Sequence, residues 1–439
     1  MTTTDNSIPK NWAAPFFTIW TGQAFSMLGS QLVQFALVWW LTKSTGSATV
    51  LATATLAALI PQIVISPFAG ALVDRWNRKV VMMVADSLIA LASLVLALLF
   101  AAGVAQPWHV YLIMLIRGTG GAFHWPAMSA STPMMVPKEH LARVAGVNQT
   151  MTGLLNIVSP PLGALLISYI PISGVLFIDV VTAALAVAPL FFVHVPQPQR
   201  VLDLAAGIGE KTSMWQDLKA GLRYVVTWPG MFIILMVATL LNFFVTPAFS
   251  LIPLLVTKHF GGDAIQLGAL DSAWGIGMLT GGIVLGAWGG FKRRIVTTFV
   301  GVIGMGLGIT LIGFSPANLF WLAVAGMAFT GLMQPITNGP LFAVVQSIVD
   351  SEMQGRVLSL INAMSAAMSP LSLAVAGPVS DALGIRVWYV IAGVFCVLVG
   401  ILAFFIPAVI HIEEQKKGKA EAQPTEISSP ETKVETESS

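Results

Sequence analysis

The sequence predicts an all-α membrane protein with twelve transmembrane helices in two six-helix pseudo-symmetric bundles. Of its 439 residues, 56% are hydrophobic and only 10% are charged, and the mean hydropathy is +0.82. A soluble domain has about 25% charged residues, so lipid must be the solvent for most of this chain. Apolar runs of membrane-spanning length and an internal repeat supply the number and arrangement of the helices.

The predicted spans are hydrophobic runs separated by Gly, Pro and charged residues. The first run is too long for a signal peptide and has no small-residue cleavage site, so we expect it to remain as a span. The twelve spans are 13–42, 47–73, 79–103, 107–135, 145–169, 172–195, 229–257, 265–290, 294–314, 318–345, 356–381 and 385–411.

Four segments follow from these spans. The linker contains an amphipathic stretch from Met214 to Thr227, expected to form a short helix on the membrane surface or against the bundle. The last segment is rich in Glu, Ser, Thr and Lys, which predicts disorder. The segments are an N-terminal bundle (1–195), a cytoplasmic linker (196–228), a C-terminal bundle (229–411) and a cytoplasmic tail (412–439).

The positions of Lys and Arg predict the orientation. Arg117 lies inside span four, and Lys43, Lys258 and Arg386 lie in odd-numbered loops. The other 18 of the 22 basic residues lie at the N-terminus, in even-numbered loops or in the tail. Because cytoplasmic segments carry an excess of Lys and Arg, both termini are predicted to be cytoplasmic, in a bacterial inner membrane.

Several functional classes are excluded by composition. A formal charge of +2 does not suggest a nucleic-acid partner. A single cysteine, Cys396, cannot form an internal disulfide, and the six histidines have no i,i+4 pair for a metal site. The segment Gly209-Glu-Lys211-Thr212 lacks the P-loop spacing, which excludes ATP hydrolysis. We therefore expect no enzyme activity, no metal or other cofactor, and a monomer whose partners are the lipid bilayer and a small-molecule substrate.

An internal repeat is visible in two ordered series. Basic clusters follow span two (Arg75, Arg78, Lys79) and span eight (Lys292, Arg293, Arg294), about 215 residues apart. A duplicated six-helix unit predicts alternating access, with substrate bound between the halves near the membrane midplane. The second series is Pro126, Glu139, Arg143, Asn148 and Ser159-Pro160, repeated as Pro340, Glu352, Arg356, Asn362 and Ser369-Pro370.

Glycines at small-xxx-small spacing predict close helix packing in two later spans. They are Gly277, Gly281, Gly282, Gly286 and Gly290 in span eight, and Gly301, Gly304 and Gly308 in span nine.

A family resemblance enters at the segment GALVDRWNRK, from Gly70 to Lys79. It resembles the loop 2–3 motif of the major facilitator superfamily, with Asn77 where that motif usually has Gly. Three further segments, Ile19 to Ala52, Leu115 to Pro137 and Ile157 to Leu166, resemble the macrolide-efflux (Mef-type) branch. Ser159-Pro160 stands where the antiporter motif has Gly-Pro. The resemblance implies the superfamily fold and drug antiport.

The resemblance also implies a conformational latch. In the family pattern the Asp74 carboxylate faces the N-terminus of span eleven near Arg356, and Gly70 allows close packing. Arg75 and Arg78 complete the motif. The alternative is topological, in which the basic residues fix orientation and Asp74 moderates their charge.

Intramembrane charges are the candidates for proton coupling. Arg117 lies ~13 Å from the periplasmic boundary and Asp179 ~10 Å from the same side, at 1.5 Å per residue. Asp179 is therefore the first candidate partner of Arg117, and Asp86 in span three is the second. The pair either responds to protons or substrate, or is a static ion pair. Asp271 in span eight has no obvious basic neighbour, so it is a candidate protonation site, a counter-charge for a cationic substrate, or a hydrated interfacial residue.

Uncharged polar and aromatic residues on several spans predict an amphipathic substrate cavity for bulky lipophilic compounds. Interhelical hydrogen bonding is the alternative for each single residue. The candidates are Gln23, Gln31, Gln34, His124, Trp125, Asn242, Phe243, Thr246, Gln334 and Asn338, with Ser30 and Thr337 beside them.

The sequence thus favours a secondary active transporter that exports hydrophobic small molecules, such as macrolides, in exchange for protons. Export of an endogenous metabolite or siderophore, or uptake by symport, are alternatives within transport. A non-transporting membrane sensor is the alternative from another class.

Overall fold

The structure is a computed structural model, and it describes residues 11–73, 75–193, 195, 219, 222–349 and 351–414. These residues form helices and turns, with no strand among them. Asp74, most of the predicted linker and nearly all of the predicted tail lie outside the described residues. In the part of the linker that is described, residues 222–226 are helical and Val225 is fully buried.

Twelve long helices lie within the described ranges. Their bounds agree with the predicted spans to within several residues at most ends. They are α1 Ala13–Thr45, α2 Ala48–Val73, α3 Arg78–Ala101, α4 Pro107–Met135, α5 Leu141–Tyr169, α6 Ile172–Phe192, α7 Pro229–Ser250, α8 Ala264–Trp288, α9 Arg294–Phe314, α10 Phe320–Ile348, α11 Ser351–Leu383 and α12 Ile385–Ala403.

Two predicted spans extend at least seven residues beyond the helices observed. The span predicted to reach residue 257 is interrupted after Ser250, and the chain continues as a single turn, Ile252–Leu254, and a π-turn, Leu255–His259. Pro253 has no amide hydrogen for an intrahelical hydrogen bond, which explains a break at this point. The last span ends at Ala403, and a separate short turn, Pro407–Ile410, follows it.

Eleven helices of the described chain are long and apolar enough to cross a membrane. The long helix missing from this set is α4. It carries Arg117 and His124 together with several Ser and Thr residues, and these lower its mean hydropathy. The chain is a multi-pass helical membrane protein, whereas a count of twelve spans stays a prediction.

The helices pack in a pattern that repeats with an offset of six. Helix α1 packs on α5 and α6, α4 on α2 and α3, and α3 on α6. In the same way α7 packs on α11 and α12, α10 on α8 and α9, and α9 on α12. Two further pairs, α2 with α11 and α5 with α8, join the first six helices to the last six and obey the same offset.

One carboxylate makes a polar link between α11 and α2. Asp381, near the end of α11, accepts hydrogen bonds from the backbone N–H groups of Ala48 (2.8 Å) and Thr49 (2.9 Å). It also accepts from the hydroxyls of Ser47 (2.9 Å) and Thr49 (2.8 Å). These groups form the start of α2, where unpaired amides and the helix dipole favour a negative charge.

Four of the glycines predicted to pack closely lie within α8 and divide into two groups. A Cβ atom at Gly277 or Gly281 would collide with the backbone carbonyls of Ala328 or Leu332 in α10, whereas Gly282 and Gly286 face open space. In α9, Gly301, Gly304 and Gly308 all face α10 residues. Close packing therefore accounts for Gly277 and Gly281 but not for Gly282 and Gly286.

We expect Gly281→Val to destabilise the protein and Gly282→Val to leave it nearly unchanged. Both variants add the same β-branched side chain to the same helix, but only the first forces α8 away from α10. Overpacking of this kind typically costs about 1–3 kcal/mol. Thermal unfolding of the detergent-solubilised protein measures the difference, and equal midpoints for the two variants would contradict the packing assignment.

Candidate functional site

A large cavity with a volume of about 630 Å³ is enclosed by α1 to α5. Five of the predicted cavity residues line it, namely Gln23, Gln31, Gln34, His124 and Trp125. Trp20 and Asn148 also line it, and the indole N–H of Trp20 donates to Asn148 Oδ1 at 2.6 Å. We call this space the N-half cavity.

Asp86 lies in the wall of the N-half cavity and is 5% exposed. Gln23 Nε2 donates to its Oδ2 at 2.9 Å, and His124 Nε2 lies 3.3 Å from its Oδ1. The His124 ring is close enough for an ion pair when protonated, although its N–H direction makes no hydrogen bond. Helices α1, α3 and α4 thus bring together a carboxylate, an amide and an imidazole, and two of these groups can take up or release a proton.

Arg117 pairs with Asp179, its first predicted partner, rather than with Asp86. Arg117 Nη1 donates to Asp179 Oδ2 at 2.5 Å, and Asp179 is fully buried. The pair is enclosed by serines: Ser93 Oγ donates to Asp179 Oδ2 at 2.7 Å and Ser30 Oγ to Oδ1 at 3.2 Å. Arg117 also donates to Ser93 Oγ at 2.7 Å and to the Ser30 carbonyl at 3.3 Å.

Gly29 explains how α1 reaches this ion pair. A Cβ atom at this position would collide with the Thr182 hydroxyl and crowd the Asp179 backbone of α6. The sequence prediction named Ser30 but missed Ser93. Ser93 lies seven residues after Asp86, on the same face of α3, and that spacing was the available signal.

A second cavity, the interface cavity, lies between the first six and the last six helices. It has a volume of about 390 Å³ and contains Asp271. Gln31 and Gln34 of α1 line it as well as the N-half cavity. Asn156 and Ser159 of α5 were not on the predicted cavity list, although Ser159 was singled out by the internal repeat.

The third cavity, the C-half cavity, is enclosed by α7, α9 and α10 and is smaller, about 140 Å³. Asn242, Gln334, Thr337 and Asn338 line it. Phe243 instead packs against Phe244 and Trp388, because neighbouring residues of a helix point about 100° apart. Thr246 lines none of these three cavities. Eight of the ten predicted cavity residues therefore line these three cavities, and Phe243 and Thr246 do not.

The predicted latch is described only in part, since Asp74 is outside the described residues. A Cβ atom at Gly70 would meet none of the described residues within 4 Å, so close packing among those residues does not explain this glycine. Arg78 is buried and donates from Nη1 to the Ala130 carbonyl of α4 at 2.7 Å. Arg356 Nη1 lies 3.6 Å from the Met353 sulfur in α11.

Solved structures show the same arrangement of helices. A bacterial homologue of the human lysosomal transporter Spinster, solved in an inward-facing and unoccupied conformation, matches with a TM-score of 0.65 at 14% identity. The match covers 95% of this chain and 100% of that one. A D-xylose–proton symporter matches with a TM-score of 0.65 at 15% identity, over 90% and 98% of the two chains. The fold is that of a major facilitator superfamily transporter.

The sequence comparisons identify the family within that class. The chain belongs to the transmembrane secretion effector family, whose sequence profile matches residues 12–437. Macrolide efflux protein A of Streptococcus pyogenes is 33% identical over 394 residues, covering 90% of this chain and 96% of that protein. The multidrug efflux pump Tap of Mycolicibacterium fortuitum is 28% identical, covering 89% and 95%. The predicted membership of the major facilitator superfamily and its Mef-type branch is confirmed, and the chain is a transporter rather than an enzyme.

Proposed function

We propose that this chain is a proton-coupled exporter of hydrophobic small molecules, macrolides among them, that works by alternating access. The interface cavity is the main support, because its walls come from both the first six and the last six helices. A ligand bound there contacts both halves, so its binding responds to their relative movement. The names of the relatives, a macrolide exporter and a multidrug pump, support the substrate class and the direction.

The architecture proposed is twelve spans in two pseudo-symmetric bundles, and the six-helix offset of the packing supports it. The distribution of Lys and Arg supports cytoplasmic termini in a bacterial inner membrane. We further propose that the protein acts as a monomer and uses no cofactor, with the proton gradient as its energy source. One charge moving through 100 mV releases ~2.3 kcal/mol, enough for a substrate gradient of roughly fifty-fold.

Among the predicted coupling residues, Asp86 is the proposed proton carrier. It lies in the wall of the N-half cavity beside His124, so both groups can exchange protons with water entering that cavity. Asp179 is instead enclosed by Arg117 and two serines, which form an ion pair and two hydrogen bonds with it. Asp271 is the other candidate for the proton carrier, and Asp271→Asn is tested together with Asp86→Asn.

Transport into proteoliposomes of a fluorescent lipophilic drug, driven by a pH gradient, tests the proposal. The wild type is expected to accumulate the drug only when the gradient is present. Asp86→Asn is expected to abolish this accumulation while drug exchange without a gradient continues. His124→Gln should weaken the response to the gradient. His109→Gln is the matched control, because His109 lies in the same helix α4 but only caps its exposed first turn.

Other results of the transport experiment would change the proposal in different ways. If Asp271→Asn is uncoupled and Asp86→Asn is not, the proton carrier is Asp271. Flux no greater than in empty liposomes, over a panel that includes macrolides, would overturn the drug-export proposal. A metabolite exporter or a non-transporting sensor would then take its place.

A further inference from the structure

Asp271 is an ionisable side chain inside the interface cavity. It is the one acidic or basic residue among those that line the interface cavity, and the described residues offer it no hydrogen bond or ion pair. Its helix neighbour Ser272 donates instead to the Ile157 carbonyl of α5. An ionised carboxylate held inside a helix bundle needs a counter-charge, and the cavity leaves space for one to be supplied by a ligand.

Two hydrogen-bonding groups in the same cavity are also unpartnered. Ser159 Oγ in α5 and Trp274 Nε1 in α8 are buried atoms with no hydrogen-bond partner among the described residues, and Ser159 is only 3% exposed. Buried polar groups are normally satisfied, so such groups indicate a missing partner. An indole N–H can only donate, so the missing partner of Trp274 is a hydrogen-bond acceptor.

The rest of the interface cavity is apolar and aromatic. Phe35, Phe249 and Trp274 line it, and the rings of Phe249 and Trp274 meet edge to face with centroids 5.9 Å apart. Aromatic faces attract organic cations when water is excluded. The volume of about 390 Å³ is within the range that small organic ligands occupy.

We propose that the interface cavity binds a protonated lipophilic amine that also carries a hydrogen-bond acceptor. The Asp271 carboxylate is the counter-charge of the ammonium group, and the Trp274 N–H and the Ser159 hydroxyl bind the acceptor. Phe35 and Phe249 contact the apolar body. This assignment names the substrate class of the exporter and rests on the proposed function only in supposing that the bound amine is transported.

Equilibrium dialysis with the purified full-length protein in detergent tests the site directly. The probes are radiolabelled propranolol, an aryloxy amine with hydroxyl and ether oxygens, and its N-acetyl derivative, which has lost the basic nitrogen. We expect the wild type to bind the amine at least tenfold more tightly than the amide at pH 7. Asp271→Asn should lower the amine affinity at least tenfold and make the two affinities equal.

Further variants separate charge from shape and from folding. Asp271→Glu should retain the preference for the amine. Trp274→Phe and Ser159→Ala should lower the affinity for both the amine and the amide by about three- to tenfold. Asp263→Asn is the matched control, because it removes a carboxylate that only caps the start of the same helix α8. The comparison of amine with amide in the wild type needs no variant, so it tests the site even if a substitution prevents folding.

Equal wild-type affinities for amine and amide, or an Asp271→Asn variant that binds the amine normally, would overturn the assignment. Dialysis measures binding without any gradient. A protein that binds the amine but transports nothing would therefore support the site and contradict the exporter. A protein that exports drugs but shows no preference for the amine would support the exporter and contradict the site.

Discussion

Asp179→Ala is expected to lower the free energy of unfolding by about 3–5 kcal/mol, the usual effect of removing one partner of a buried ion pair. The variant leaves the Arg117 guanidinium among α1, α3, α4 and α6 with no counter-charge. It also removes the acceptor of the Ser30 and Ser93 hydroxyls. Denaturation of the purified protein in mixed micelles measures the change.

A double variant shows whether this pair only stabilises the fold. Arg117→Met combined with Asp179→Leu removes both charges and fills the space, so most of the lost stability should return. If the double variant is stable and still transports with a pH gradient, the pair is a static link between helices. If it is stable but uncoupled, the pair takes part in coupling. An unchanged unfolding free energy in Asp179→Ala would contradict the stabilising role itself.

Asp381→Ala is expected to shift the protein toward conformations in which the start of α2 separates from the end of α11. The carboxylate accepts four hydrogen bonds from Ser47, Ala48 and Thr49, and the variant leaves the amides of a helix N-terminus without it. Water replaces part of the interaction at this exposed site, so we expect a loss of ~1–2 kcal/mol. That corresponds to a population shift of about five- to thirtyfold.

A single-cysteine accessibility experiment measures this shift. Cys396→Ser removes the only native thiol, and Asn156→Cys then places a reporter in the interface cavity. Labelling by a membrane-impermeant reagent from the side of the α1–α2 loop should become about fivefold faster or more in Asp381→Ala. Asp263→Asn should have no such effect, because Asp263 caps its own helix and joins no second one. Equal labelling rates in all three proteins would contradict a link between the halves.

The helices were predictable because lipid makes every span an apolar run, and Pro and Gly mark most of their ends. Depth along the membrane normal was also predictable from residue counting, and it paired Arg117 with Asp179. Counting does not give the rotation of each helix or its lateral neighbours. For that reason the sequence did not show that His124 and Gln23 contact Asp86, or that Phe243 packs against Phe244 and Trp388 instead of lining a cavity.

Long-range contacts at helix ends were harder still to predict. No residue near Asp381 in the sequence indicates that its carboxylate binds the start of α2. Its partners lie more than 330 positions earlier in the chain. The repeat in the sequence did predict that the halves are related, but it carries no information about which residues touch across them. Likewise, the glycine spacing predicted close packing at five positions of span eight, but only Gly277 and Gly281 among them approach the backbone of α10.

Gln31 and Gln34 form a shared boundary between the N-half cavity and the interface cavity. A compound small enough for one chamber leaves the other vacant, so two unlike small compounds can reside in the protein together. A bulky ring system that extends past Gln31 and Gln34 occupies both cavities, so it excludes both small compounds. Inhibition between substrates would then depend on molecular size: two small compounds would be non-competitive with each other, while each would compete with a large one.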